Sequence, residues 1–387
     1  MKKILSLILV SVFVLGAFAA CGGKGNDIPA DTMLIGGIGP TTGGAAIYGS
    51  AVKNGMQLAI DEINAAGGVN GIKFMMDFQD DEHNTEKAVN AYNTLKDKGA
   101  QLIIGTVTSQ PCKAVAPLAA ADNMFLLTPS GSAVECIAAK NAFRICFSDP
   151  DQGKASAIYI GDHAVAEKIA VIYDSSDVYS KGIYDSFVEE AKNQPFEVVE
   201  AQAFTADSKT DFSVQLQKIK DSGADLVFLP IYYQEAALIL QQAETIGLPE
   251  TIKYFGCDGL DGLVAQLKDD SALADGVILL TPFAADASDE KTQTFTAAYK
   301  KAYNDEIPNQ FAADGYDAVY AVAEAIKKAN ITDPKIASKE LSDKLTAAMT
   351  QITVEGVTGT MTWNAEGEPT KDPRAMYIEN GSYKAMD

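Results

Sequence analysis

The sequence predicts an α/β protein built as two doubly wound lobes, each with a parallel central sheet, joined by a three-segment hinge. Three observations carry this. Short apolar runs alternate with longer amphipathic stretches, the alternation occurs as two successive series, and the helical patterns beyond residue 283 have no strand run between them. A repeated strand–helix rhythm makes a parallel sheet with helices on both faces. Two series make two lobes, and a tail that returns to cover the first lobe requires several crossings, which together form a hinge.

In the first series, Leu34 to Ile38, Lys73 to Phe78, Gln101 to Ile104, Met124 to Leu127 and Phe143 to Phe147 read as buried strands. Helical patterns lie between them over Tyr48 to Ala66, Thr85 to Lys98 and Cys112 to Ala121. Gly67-Gly68 and Gly99 end the first two, at the position where glycine closes a helix. The second series places strands at Ile169 to Tyr173, Phe196 to Ala201, Leu226 to Pro230, Lys253 to Gly256 and Gly276 to Leu280. Its helices lie near Lys181 to Lys192, Asp211 to Ser222 and Glu235 to Ile246. Helices at Asp289 to Tyr303, Ala312 to Ala329 and Ile336 to Met349 follow, then strands at Gly359 to Trp363 and Met376 to Glu379. The first lobe is thus expected over 32–148 plus 283–358, and the second over 149–282 plus 359–387.

The first segment reads as an address. Lys2 and Lys3 precede an apolar run from Ile4 to Ala20, followed by Cys21-Gly22-Gly23 and a polar stretch to Asp31. A charged start, a short apolar core and a small-residue exit describe a secretory signal over 1–20. Ala19-Ala20-Cys21 resembles a bacterial lipobox, which implies removal of the signal and lipidation of Cys21. Residues 21–31 are then an anchored tether, and the protein is exported and held at the membrane by its acyl chains.

Composition narrows the function. With 387 residues and 47% hydrophobic residues the chain can bury full cores. Acidic residues outnumber basic ones 52 to 31, and no Lys/Arg-rich run occurs, so nucleic-acid binding is not expected. Cleavage after residue 20 leaves 29 basic residues and moves the net charge from -21 to -23. Five Cys are too few for a disulfide-stapled scaffold.

Gly37 to Gly44 follows the first strand, where a dinucleotide fingerprint would stand, but Thr42 replaces the third Gly and Pro40 removes an amide from the cradle. There is no G-K-[ST] and no G-x-S-x-G motif. The histidines, His83 and His163, read as solvated surface residues, and Asp80-Asp81-Glu82 as a solvated charge run. No cofactor, metal or catalytic residue is expected.

What remains is small polar residues just beyond strand ends. Thr106 to Gln110 and Thr128 to Ser132 follow consecutive strands of the first lobe. Each alone reads first as helix capping; together, on consecutive strands, they point to an anion site that suits a carboxylate. In the second lobe, Asp174 to Tyr179, Ile231 to Glu235 and Cys257-Asp258-Gly259 offer aromatic rings and an acid. These suit an ammonium beside apolar surface, or else serve as packing and turn residues.

At these residues the chain resembles the branched-chain amino acid (leucine/isoleucine/valine) substrate-binding proteins of ABC transporters, a group of type I periplasmic binding proteins. The resemblance runs from about Asp31 to the end. Its specific stretch is Asp61-Glu62-Ile63-Asn64-Ala65-Ala66-Gly67-Gly68-Val69-Asn70-Gly71. Around it, in order, stand Ile38-Gly39-Pro40, Tyr48-Gly49, Asp80-Asp81, Gly105 to Ser109, Thr128 to Ser132, Tyr173-Asp174, Tyr179 to Gly182, Tyr232-Tyr233 and Gly256 to Gly259.

The resemblance implies a Venus-flytrap receptor that holds an amino acid between its lobes and hands it to a membrane ABC permease. Ser109 and Ser132, with the backbone of Ser109 or Gly131, would hold the α-carboxylate. Asp258, assisted by Tyr232 or Tyr233, would pair the α-ammonium, and Tyr48 and Tyr179 would line the side-chain pocket. Which of Tyr232 and Tyr233 faces the cleft stays open. An amide, short peptide or aromatic acid is the alternative ligand, and a nucleotide-dependent α/β enzyme a distant alternative. A monomer is expected. For an exported chain, Cys136 with Cys146 and Cys112 with Cys136 are the candidate disulfides, free thiols being the other possibility.

Overall fold

The computed structural model describes residues 28–371 and 373–386. The segment read as a secretory signal, the candidate lipidation site Cys21 and most of the stretch read as a tether lie outside the described residues. No described helix is long and apolar enough to cross a membrane.

The first lobe is a parallel sheet of five strands: β1 (Thr32–Gly39), β2 (Lys73–Asp80), β3 (Leu102–Gly105), β4 (Leu126–Thr128) and β5 (Ala142–Arg144), in the order β2-β1-β3-β4-β5. All eight residues of β1 and all four of β3 are buried, as expected of strands covered on both faces. Helices α1 (Ala46–Ala65), α2 (Thr85–Asp97) and α3 (Ser109–Asp122) make the crossovers. Asn84 caps α2 by accepting from the Lys87 amide at 3.0 Å, and Gly68, at φ +80°, turns the chain out of α1 where a Cβ would strike the Ile72 carbonyl.

The chain then enters the second lobe through α4 (Asp149–Asp162). A seven-stranded sheet follows from β6 (Lys168–Asp174), β7 (Glu197–Phe204), β8 (Leu226–Leu229), β9 (Lys253–Gly256) and β10 (Ile278–Thr281), with β13 (Arg374–Glu379) and β14 (Ser382–Ala385) added later. The order is β14-β13-β10-β9-β8-β6-β7, parallel except where β13 pairs antiparallel with β10 and β14. Helices α5 (Val178–Ala191), α6 (Ser213–Ser222), α7 (Tyr233–Ile246) and the short α8 (Leu263–Leu267) complete it.

After β10 the chain returns to the first lobe with α9 (Glu290–Ala302), α10 (Gln310–Lys328) and α11 (Ser338–Met349). Close approach of α10 to α1 requires glycine: a Cβ on Gly55 would collide with the Ala312 carbonyl and one on Gly315 with the backbone of Val52.

Two expectations need correction here. The stretch from Gly359 was assigned to the second lobe, yet β12 (Gly359–Met361) pairs with β11 (Val354–Gly356). Beyond it, the Trp363 indole donates to the Arg144 carbonyl at 2.7 Å, Gly367 accepts from the Arg144 amide at 3.1 Å, and Glu368 pairs with the Arg144 guanidinium at 3.0 Å. These contacts hold 359–371 on the first lobe, so the third crossing comes just before β13. Nor is Asp80-Asp81-Glu82 simply a solvated run. Asp81 is fully buried, accepts from the His83 amide at 2.9 Å, and is pushed by burial up to about 7.

Candidate ligand-binding site

The strand ends of the two lobes face each other across one cleft. On the first wall, Thr108 stands in extended conformation before α3. Pro111 has no N–H and the Cys112 amide donates back to the Thr108 carbonyl at 3.1 Å, so the amides the helix does not use are those of Ser109 and Gln110. Ser109 Oγ accepts from the Ser132 and Ala133 amides at 3.1 and 3.2 Å, which fixes the β4 loop against the helix start. The buried Arg144 guanidinium, donating to the carbonyls of Gly131 and Ser132, secures that loop from behind.

The second wall centres on Asp258, which is 5% exposed. Tyr179 donates to its carboxylate at 2.7 Å, and the same hydroxyl accepts from the Gly259 amide at 2.9 Å. The Asp258 backbone amide donates to the Gln152 side-chain oxygen at 3.3 Å. Burial pushes the carboxyl up to about 6, opposed by Tyr179, the Gly259 amide and Gln152, with no cation among them.

The lobes touch directly. Tyr48 on α1 donates to the Gly259 carbonyl at 2.6 Å and accepts from the Tyr233 amide at 3.1 Å. Tyr233 in turn accepts from the Ile47 amide at 3.3 Å. Gln310, opening α10, donates its side-chain amide to the Asp258 carbonyl at 2.9 Å and its backbone amide to Asp261 at 2.9 Å. The space enclosed between the walls is lined by Tyr48, Val107, Thr108, Ser109, Ser130, Tyr179, Tyr232, Asp258, Gly259 and Phe311. The side chains nearly fill it, so a guest the size of an amino acid requires the walls to part. Beyond Tyr179 and Tyr232 a second chamber of ≈ 290 Å³ leads outward past His83, Gln110, Asp177 and Lys209.

Of the sequence-selected residues, Tyr48, Ser109, Tyr179, Tyr232 and Asp258 line this space together. Tyr232 does and Tyr233 does not. Gly131 and Ser132 stand behind Ser109, and Ser130 takes the lining position. Tyr179 faces Asp258 as a hydrogen-bond partner in addition to presenting its ring, which stacks on Tyr232 at 4.8 Å.

Phe311, packed on Tyr48 at 4.4 Å, was not anticipated; Asn309, which caps α10 by accepting from the Ala312 amide at 3.1 Å, was the available sign of a helix start aimed at the cleft. His83 is also corrected. Its side chain is 25% exposed, Nδ1 lies 2.9 Å from the Thr108 hydroxyl, Nε2 lies 3.8 Å from Asp177 across the cleft, and burial pushes its pKa down to about 4.

A wall of neutral donors at a helix N-terminus facing a buried, uncompensated carboxylate is a receptor for a small molecule bearing both charges. The family model described as periplasmic binding protein matches residues 32–382, and the chain belongs to that family. Among its relatives is the leucine-, isoleucine-, valine-, threonine- and alanine-binding protein of Pseudomonas aeruginosa, 28% identical over 355 residues covering 91% of each chain. The crystal structure of a branched-chain amino acid transporter substrate-binding protein from Streptococcus pneumoniae, in complex with isoleucine, is 30% identical with a TM-score of 0.81, covering 92% of this chain and 99% of that one. A leucine-binding protein from Thermotoga maritima is 25% identical at TM-score 0.81, with 92% and 98% covered.

Proposed function

We propose that the protein is an extracytoplasmic, non-catalytic receptor that captures a branched-chain amino acid, Leu, Ile or Val, between its lobes and delivers it to an ABC permease. The observation that carries this reading is the opposition of the α3 N-terminus and Asp258 across one enclosed space. The amides of Ser109 and Gln110 and the Ser109 hydroxyl take the α-carboxylate, with the Ser132 and Ala133 amides holding Ser109 Oγ in place and Ser130, its hydroxyl donated to the Val107 carbonyl at 2.6 Å, shaping the wall beside it. Asp258 and Tyr179 take the α-ammonium. Tyr48, Tyr232 and Phe311 supply apolar surface for the side chain.

A zwitterion loses hydration at both charges on entering such a site, and pairing offsets that loss only when both walls are close. The ligand therefore favours a closed arrangement, and closure is what a permease senses. The named relatives support the ligand class. The sequence features of residues 1–31 support export with a lipid anchor on Cys21, and a receptor that presents both lobes to a permease works as a monomer.

The test is a thermal-shift screen of the twenty amino acids, simple amides, dipeptides and benzoate, followed by calorimetry of the hits. Stabilisation by Leu, Ile or Val with 1:1 stoichiometry is expected. Stabilisation by the amides or aromatic acids alone would move the ligand class, and no response to any of them would overturn the receptor reading.

A further inference from the structure

The first-lobe wall of the site contains a pair of thiols. Cys112 lies in the first turn of α3, three residues beyond Ser109, and Cys136 lies in the 3₁₀ turn Val134–Ile137 that follows the Thr128–Ser132 loop. Both side chains are fully buried. Cys112 Sγ packs beneath Gly131, where an added Cβ would stand 3.1 Å from the sulfur. Cys136 Sγ lies 3.9 Å from the Ser109 carbonyl. The two side chains belong to one buried cluster with Val115 and Ala133; the neighbouring Cys136 holds the Cys112 thiol below its ordinary range, while burial, and then Cys112 itself, push Cys136 above it. The other two cysteines among the described residues are elsewhere. Cys146 is at the hinge near Arg144, Asp314 and Lys371, and Cys257 lies 3.5 Å from the Ser156 hydroxyl in the second lobe. Of the two pairings the sequence left open, the geometry favours one.

We propose that Cys112 and Cys136 are an oxidisable pair whose disulfide staples the start of α3 to the turn beyond the Thr128–Ser132 loop. The oxidant is a donor disulfide, on a protein or a small thiol. The Cys112 thiolate attacks one donor sulfur and releases the first donor thiolate; the Cys136 thiolate then attacks the Cys112 sulfur of the mixed disulfide and releases the second. The two cysteines lose two electrons and two protons, and the donor gains them as two thiols. Because both sulfurs are covered, exchange proceeds during folding or through local opening of the turn. Closing the loop between positions 112 and 136 restricts the unfolded chain and fixes the two segments that carry Ser109 and Ser130. The cross-link needs no ligand; only its effect on binding rests on the function proposed above.

The full chain, refolded in oxidised glutathione and then alkylated in denaturant, tests this by tryptic mapping. Two thiols are expected to disappear, with peptide 99–113 joined to peptide 114–140. The oxidised protein should melt about 5 °C or more above the reduced one, and Cys112→Ser or Cys136→Ser should each abolish both the cross-link and the shift. Full alkylation of every cysteine after this treatment, or a cross-link joining 114–140 to 145–154, would overturn the proposal. A cross-linked protein that binds no amino acid would support the staple and count against the carboxylate role of that wall.

Discussion

Asp258→Asn removes one charge from the cleft while keeping the size of the side chain and an acceptor for the Tyr179 hydroxyl. Two effects of opposite sign follow. In the complex, the ligand ammonium would be enclosed beside Tyr179 with no counter-charge, and removing one partner of a buried ion pair costs about 3–5 kcal/mol. At about 1.4 kcal/mol per tenfold, affinity should fall by roughly two to more than three orders of magnitude. Without ligand the sign reverses. Burial raises the Asp258 carboxyl from 3.8 to about 6, so its ionised form is disfavoured in the folded cleft. A raised carboxyl contributes stability that is present below pH 3.8 and lost as the pH rises through 6. At pH 7.5 the Asn variant should therefore melt at or above the wild-type temperature. Calorimetry with Leu and a ligand-free melting curve read the two effects on one preparation. An affinity within threefold of wild type, or a ligand-free melting temperature many degrees lower, would refute the reasoning.

Other outcomes follow from the same contacts. Tyr48→Phe deletes the hydroxyl that joins Gly259 to Tyr233 across the cleft and leaves two backbone groups unpaired; the radius of gyration of the ligand-free protein in small-angle scattering should rise, and an unchanged curve would deny Tyr48 a part in closure. Phe311→Ala opens space beside Tyr48; large-to-small changes at buried aromatics cost about 3–5 kcal/mol, so the melting temperature should drop while the ratio of Phe to Leu affinity rises, and an unaltered ratio would remove Phe311 from the side-chain pocket. Burial holds Asp81, Asp261 and Asp314 up near about 7; their stability contribution is lost as pH rises through that value, so the melting temperature should fall between pH 5 and pH 8, and a rise over that interval would contradict the burial of these carboxyls.

The two-lobe fold was legible because buried parallel strands are continuous apolar runs, and β1, β3 and β8 are buried throughout. The cleft was legible in outline because ligand loops follow strand ends, which local sequence marks. Choosing among Ser130, Gly131 and Ser132 was beyond it, since the lining residue depends on how the Arg144 guanidinium holds the loop. Phe311 was invisible for a related reason: it reaches the cleft only through the return of α10 to α1. His83 looked solvated because its sequence neighbours are polar, yet its surroundings come from Thr108 and from Asp177 of the other lobe. Helix α4 lacks a strong apolar stripe, and its start is marked only by Ser148, which accepts from the Asp151 amide at 3.1 Å, and by Pro150. Trp363, Gly367 and Glu368, all held on Arg144, show why the last crossing falls later than the sequence suggests: a few long-range anchors, absent from the local pattern, decide which lobe keeps the segment.

The orientation of the bound amino acid tests the central claim most directly. A crystal structure of the protein with Leu should place the carboxylate at the amides of Ser109 and Gln110 and the ammonium within hydrogen-bonding distance of Asp258. Leu bound with its ammonium away from Asp258, or held outside the space between Tyr48 and Tyr232, would contradict it.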